Sequence, residues 1–201
     1  MIGDAAFPLD AAHVLLFHDA CLESGTWPEE EAPAHPPGSL WPLIEENHAC
    51  NARLWLQEDL ARRRGVPDAE IVANKRSIDA FNQQRNDAME RCDELVFVLV
   101  GERMGSQARL HSETPGMMID RLSILALKLR AMGLQAARAD AGEPHRESCR
   151  AKRARIAAQR DDLAACLDAL LADCEAGRAR FKVYRQFKMY NDPAFNPALF
   201  S

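Results

Sequence analysis

The chain is expected to fold as an all-α, antiparallel bundle of about five helices with an ordered aromatic and basic C-terminal tail. Three observations predict this. Apolar residues recur at steps of three and four over long segments. Short stretches rich in proline and glycine separate those segments. One apolar, β-branched run, Leu95 to Val100, could pass for a strand, but no second run is available to pair with it. Long helices joined by short loops favour antiparallel neighbours.

The first helix is expected from about Leu9 to Glu23, followed by an exposed loop rich in proline and acid from Gly25 to Gly38. The second runs from about Leu40 to Arg64, where Gly65 and Pro67 supply stop signals. Asp68 is placed to cap the third helix, which reaches about Val98, with Leu95 to Val100 as its buried end. Gly101 to His111 reads as a loop. Ser112 or Thr114 caps the fourth helix, with Pro115 in its first turn and its end near Ala139. Asp140 to Pro144 breaks the chain before a fifth helix from about His145 to Ala176, stopped by Gly177. In the tail, Phe181, Tyr184, Phe187 and Tyr190 recur every three residues with Lys182, Arg185 and Lys188 between them. The aromatics are expected to anchor the tail and to set Arg185 or Lys188 over a site. The whole, 1–201, is expected to be one domain: N-terminal helix and loop (1–39), helical core (40–176) and tail (177–201).

Composition narrows the function. At 47% hydrophobic and 27% charged, the chain suits a water-soluble globular protein. A formal charge of −5 argues against a nucleic-acid binder. No apolar run approaches the roughly 18–20 residues of a membrane span, and no secretory leader is evident, so a cytoplasmic location is expected. The six cysteines show no C-x-x-C pair and are expected to be reduced, structural thiols. The histidines form no metal motif.

Chemistry is expected where polar residues interrupt apolar stripes. On the third helix, steps of three and four link Ile71, Lys75, Ile78, Asn82, Arg85, Met89, Cys92 and Val96. Burying such polar groups without partners costs roughly 1–3 kcal/mol each, so they imply a polar network or a ligand site. A neighbouring sector carries Asp79, Asn82, Gln83, Asn86 and Glu90, with Arg76 a turn earlier. On the second helix Asn47, Asn51, Glu58 and Arg62 share a sector with Leu54 and Trp55. The fourth helix offers Asp120, Arg121 and Lys128, and Gly116 near its start leaves N–H groups for an anion. Amides can track hydroxyl groups, and guanidinium and ammonium groups suit phosphate or carboxylate. A metal ion such as magnesium held by the carboxylates Glu58, Asp59, Glu90 and Asp93 belongs to a separate alternative, a metal-dependent phosphohydrolase.

Four stretches, N-A-R-L-W-L-Q-E-D-L-A-R (51–62), K-R-S-I-D-A-F-N-Q-Q-R-N-D (75–87), S-E-T-P-G-M-M-I-D-R-L-S-I-L-A-L-K (112–128) and K-V-Y-R-Q-F-K-M-Y-N-D-P (182–193), carry a resemblance. Over roughly residues 40 to 200 the chain resembles an all-helical bacterial family of unknown function, catalogued under the number 4254. The resemblance implies genes beside glycosyltransferases of lipopolysaccharide or other surface-glycan assembly. It implies no activity and no catalytic residue.

The leading expectation is a polar pocket between helices two, three and four, lidded by the tail and taking an anionic, hydroxyl-rich molecule such as a sugar phosphate or nucleotide sugar. Arg62, Lys75, Arg76, Arg85, Arg121, Lys128 and Arg185 would meet its charge, and Asn51, Asn82, Gln83 and Asn86 its hydroxyls. Glu58, Asp79 and Asp120 are the candidates for general base or metal ligand, and Asp79→Asn or Asp120→Asn is expected to abolish activity at nearly unchanged melting temperature. The alternatives are a non-enzymatic partner or scaffold of a glycosyltransferase, and a metal-dependent nucleotide phosphohydrolase. Whether the protein is an enzyme stays open at this level.

Overall fold

The structure, a computed structural model, describes residues 9–30, 32–35, 40–185 and 195. Five helices dominate it: α1 (Ala11–Glu23), α2 (Trp41–Ala61), α3 (Asp68–Val100), α4 (Pro115–Ala136) and α5 (Glu143–Glu175). The fold class is all-α. Two strands of two residues each, β1 (Arg109–Leu110) and β2 (Ala179–Arg180), pair in parallel and tie the α3–α4 connection to the segment after α5. No sequence pattern announces so short a pair.

Local chemistry sets the helix ends. Asp10 caps α1 by accepting from the His13 N–H at 2.8 Å, and Thr114 caps α4 by accepting from the Met117 N–H. Gly65 and Gly177 lie at positive φ (76° and 70°) just past α2 and α5, where a side chain would be strained. Three expectations need correction. Asp68 is the first residue of α3 rather than its cap, because Pro67 holds the extended cap conformation and the acid instead faces the positive helix end. Pro144 begins α5 instead of breaking the chain, as proline can where the first N–H is unused anyway. The apolar end of α3 is only half buried: Val96 and Val100 are covered, whereas Phe97, Val98 and Leu99 are exposed.

One hydrophobic cluster draws on all five helices, including Val14 and Phe17 of α1, Trp41 and Ile44 of α2, Val96 of α3, Ile119 and Leu122 of α4, and Leu167 and Leu171 of α5. Phe181 plugs its end, 2% exposed and edge-on to Phe97 at 6.1 Å. The three-residue aromatic period does not continue as anchoring, since Tyr184 is exposed; Phe187, Lys188 and Tyr190 lie outside the described residues. No helix among the described residues is long and apolar enough to cross a membrane. Burial pushes the thiols of Cys21, Cys50, Cys92 and Cys174 upward, which keeps them protonated and unreactive.

Candidate functional site

The seam between α2, α3 and α4 is polar. Asp120 projects from α4, 4% exposed. Its Oδ1 accepts from Asn47 Nδ2 (3.0 Å), Asn51 Nδ2 (3.0 Å) and Arg85 Nε (2.7 Å), and Arg85 Nη2 donates to Oδ2. The Arg85 fork is bidentate, the strong geometry for a guanidinium on a carboxylate. Asn51 also donates to Ser123 Oγ at 3.0 Å, and Ser123 Oγ lies 2.7 Å from His48 Nδ1. His48 Nε2 reaches the His18 carbonyl of α1 at 3.2 Å. A continuous polar chain therefore crosses the bundle from α3 to α1.

The two histidine rings lie 4.3 Å apart, and Trp27 stacks on His48 at 4.6 Å. Burial lowers both imidazoles, His48 to about 3 and His18 well below its ordinary value, with the nearby Arg160 cation acting in the same direction. Both are neutral at pH 7. Against Asp120, Arg85 is held above its ordinary range by the hydrogen bond and the charge of that carboxylate.

A cleft of about 320 Å³ opens onto this network. Asn51, Asn82, Arg85, Ile124 and Leu127 line it, together with Trp55, Glu58, Asp59 and Arg62 nearer solvent. Arg85 links the two: Nε and Nη2 bind Asp120, while its side chain, 26% exposed, forms part of the cleft. Arg62 pairs with Glu58 (2.9 Å) and Asp59 (3.2 Å) at the rim.

The predicted residues thus divide. Asn51, Glu58, Arg62, Asn82, Arg85 and Asp120 converge on one cleft and the network beneath it. Lys75, Arg76, Asp79 and Gln83 sit exposed on α3, with Lys75 paired to Asp79 and Gln83 donating to Asp87. Asn86 is half-buried and does not line the cleft. Arg121 pairs with Glu113, and with Lys128 it lines a larger cleft of about 610 Å³ between α4 and α5. Among the described residues, none of the buried polar side chains lines that larger space. Arg185 binds Glu94 at 2.8 Å, about 13 Å of helical rise along α3 from Arg85. Its partner is a carboxylate of α3 rather than a group of the cleft.

The start of α4 corrects another expectation. Asp93 already fills it, accepting from Gly116 N–H (2.6 Å) and Thr114 Oγ1 (2.5 Å). A methyl group on Gly116 would stand 2.5 Å from the Met89 carbonyl oxygen, so glycine is required by the close approach of α3 rather than by a ligand. Among the described residues no group of three or more His, Cys, Asp or Glu is placed to hold a metal ion. Sequence reasoning passed over His48, which looked isolated. The signal was its register, since Trp41, Ile44, His48 and Asn51 follow steps of three and four along the buried face.

Fold and cleft together define an all-helical protein with a polar pocket built between its helices. Residues 41–183 match the family model described as Protein of unknown function (DUF4254), and the chain belongs to that family. No curated protein and no solved structure matches the chain. The matched region runs from α2 through β2 and includes all the cleft residues; α1 precedes it.

Proposed function

We propose that the protein binds an anionic, hydroxyl-rich small molecule in the cleft between α2, α3 and α4. One observation carries the reading: a buried carboxylate holds Arg85 in a fixed pose while the same side chain, 26% exposed, lines an open, polar cleft. Arg85 and Asp120 neutralise each other and Arg62 is paired with Glu58 and Asp59, so the reading rests on the Arg85 guanidinium N–H groups that Asp120 leaves unused, rather than on excess charge. Asn51 and Asn82 add amides for hydroxyl groups, and the half-exposed Trp55 ring offers a face for a sugar's C–H bonds. The resemblance found in the sequence puts sugar phosphates and nucleotide sugars of surface-glycan assembly first among compounds to test.

Asp120 carries four donor contacts, three of them on Oδ1, and acts here as a positioning residue for Arg85. Glu58 remains the carboxylate at the cleft mouth that suits a general base in an enzymatic version of this reading. A thermal-shift screen with sugar phosphates, nucleotide sugars and nucleotides, with and without magnesium, tests the proposal. A ligand at 100 times its Kd adds about 2.7 kcal/mol, several degrees for a chain of this size. Asn82→Ala and Trp55→Ala, both at partly exposed positions, are expected to remove that shift without lowering the unliganded melting temperature by more than about 2 °C. Shifts that survive both variants would place the ligand elsewhere.

The second reading is a partner or scaffold of a glycosyltransferase. What favours it is the exposed apolar surface at Phe97, Val98 and Tyr184, away from the cleft. It predicts co-elution with a partner that Val98→Asp abolishes.

A further inference from the structure

On the other side of Trp55 lies a second cleft, of about 230 Å³. The two clefts share Trp55, Asp59 and Leu127 as a common wall. Their chemistry differs. Two amides, two guanidiniums and two carboxylates line the first, whereas Leu22, Trp27, Leu56 and Leu134 dominate the second. Leu56 and Leu134 are 55% and 59% exposed, so this apolar lining stands in water among the described residues. The wall is nevertheless firmly held. Trp27 is 8% exposed and stacks on His48, which reaches Asn51 of the first cleft through Ser123. Both clefts hang on one scaffold.

We infer that the two clefts form a single site for an amphipathic ligand: a hydroxyl-rich anionic head over Arg85 and an attached aryl or short alkyl group against Trp27, Leu56 and Leu134. The inference rests on the reading of the first cleft and adds the second half of the ligand. A head group alone would leave Leu56 and Leu134 wet, whereas an apolar substituent passing Trp55 would cover them. The joint space falls in the range of about 300–1,000 Å³ usual for small-molecule sites. Arg130, beside Leu134, lines the apolar cleft, and no carboxylate among the described residues forms an ion pair with it. The apolar half therefore tolerates a ligand with a further acidic or polar group at its outer end.

Three probes sharing one head test this on the full chain: glucose 6-phosphate and its hexyl and 4-nitrophenyl β-glycosides, with Kd read by calorimetry. The glycosides are expected to bind at least tenfold tighter than glucose 6-phosphate. The nitrophenyl glycoside should also quench tryptophan emission, through Trp27 and Trp55. Leu56→Gln combined with Leu134→Gln, both at exposed positions, should bring the glycosides to the level of glucose 6-phosphate and leave that compound unchanged. Arg85→Gln should weaken all three. Equal affinities for the three probes would overturn the amphipathic ligand and leave the polar cleft standing. Glycoside binding that depends on the leucines but ignores Arg85→Gln would overturn the polar cleft and the joint site together, as expected of a face that docks a partner protein. Binding of none of the three overturns both.

Discussion

Two buried carboxylates bind α3 and α4 to each other, and they do so in opposite ways. Asp93 leaves α3 to satisfy the start of α4, and Asp120 leaves α4 to hold Arg85 of α3. Each is 4% exposed. Asp93 meets only neutral donors, Thr114 and Gly116, and its burial pushes the carboxyl up to about 6 despite them. Asp120 meets a guanidinium and two amides. Asp93 spends its capacity inside the fold, while Asp120 passes a fixed cation outward to a cleft. The two differ in what their partners reach: Thr114 and Gly116 stay within the fold, whereas Arg85 also lines an open cleft.

The largest expected effect separates the two. Asp120→Ala removes one member of a buried pair and strands the amides of Asn47 and Asn51, a change that costs roughly 3–5 kcal/mol when both charges are fully buried. Arg85 keeps some contact with water, so about 3 kcal/mol is expected, or about 6–12 °C in melting temperature. Asp120→Asn is expected to cost less but still to lower the melting temperature, since its amide oxygen can keep the three contacts on the Oδ1 side while its N–H groups would face Arg85 Nη2 and the guanidinium would lose its counter-charge. This reverses the sequence-based expectation of an unchanged melting temperature for that variant. Asp93→Asn should behave differently. A neutral amide can accept from Gly116 and donate to Thr114, and it avoids an ionised carboxylate in a dry place. At pH 7 the variant should match the parent or exceed it by about 1–2 kcal/mol. Equal losses at the two positions in urea unfolding would break the comparison.

The pH dependence of stability sharpens it. The folded pKa of Asp93 lies above its unfolded value, so its contribution is present below about pH 4 and is lost as pH rises to about 6. His18 and His48 are neutral bases with lowered folded pKa values. Their contribution is complete above about pH 6.5 and is lost as pH falls below it, toward about 3 for His48. Between pH 6 and pH 4 two histidines oppose one carboxyl, so the parent should lose stability on acidification through this window. His18→Leu, which removes a ring with no hydrogen-bond partner on either nitrogen, should flatten the slope, and Asp93→Asn should steepen it. Urea midpoints at pH 6.5, 5.5 and 4.5 decide the matter. A slope unmoved by either change would mean that other groups govern acid stability.

Much of the architecture was legible because proline and glycine punctuate it. Pro115 marks the first turn of α4, and Gly65 and Gly177 mark the ends of α2 and α5. The convergence of Asn51, Arg85 and Asp120 was half legible. Periodicity put each on the inner face of its helix, yet no periodicity says which residue of one helix stands level with which residue of another. The same limit explains Lys75. Lys75 falls in the polar stripe of α3 but ahead of Ile78, the first fully covered residue of that helix, and Asp79, one residue past Ile78, lies on its exposed side. An angular argument sees direction and not the length over which helices overlap. His48 and Asp93 were obscured differently: each is a single polar residue in an apolar row, and only its partners show whether it serves the fold or a ligand.

The smallest expected effect tests that boundary along α3. Lys75 and Asp79 form an i,i+4 pair with 64% and 57% of their side chains exposed, a setting worth about 0.3–0.5 kcal/mol at low salt. Asp79→Asn should lower the melting temperature by about 1–2 °C at most, and 0.5 M salt should erase the difference, because exposed charges are screened within a few ångströms there. The variant should also keep the full thermal shift with whatever ligand stabilises the parent, in contrast to Asn82→Ala less than one turn away. Loss of binding in Asp79→Asn with stability intact would carry the site around α3 onto its exposed face. The working distinction would then be between two faces of one helix rather than between Asp93 and Asp120.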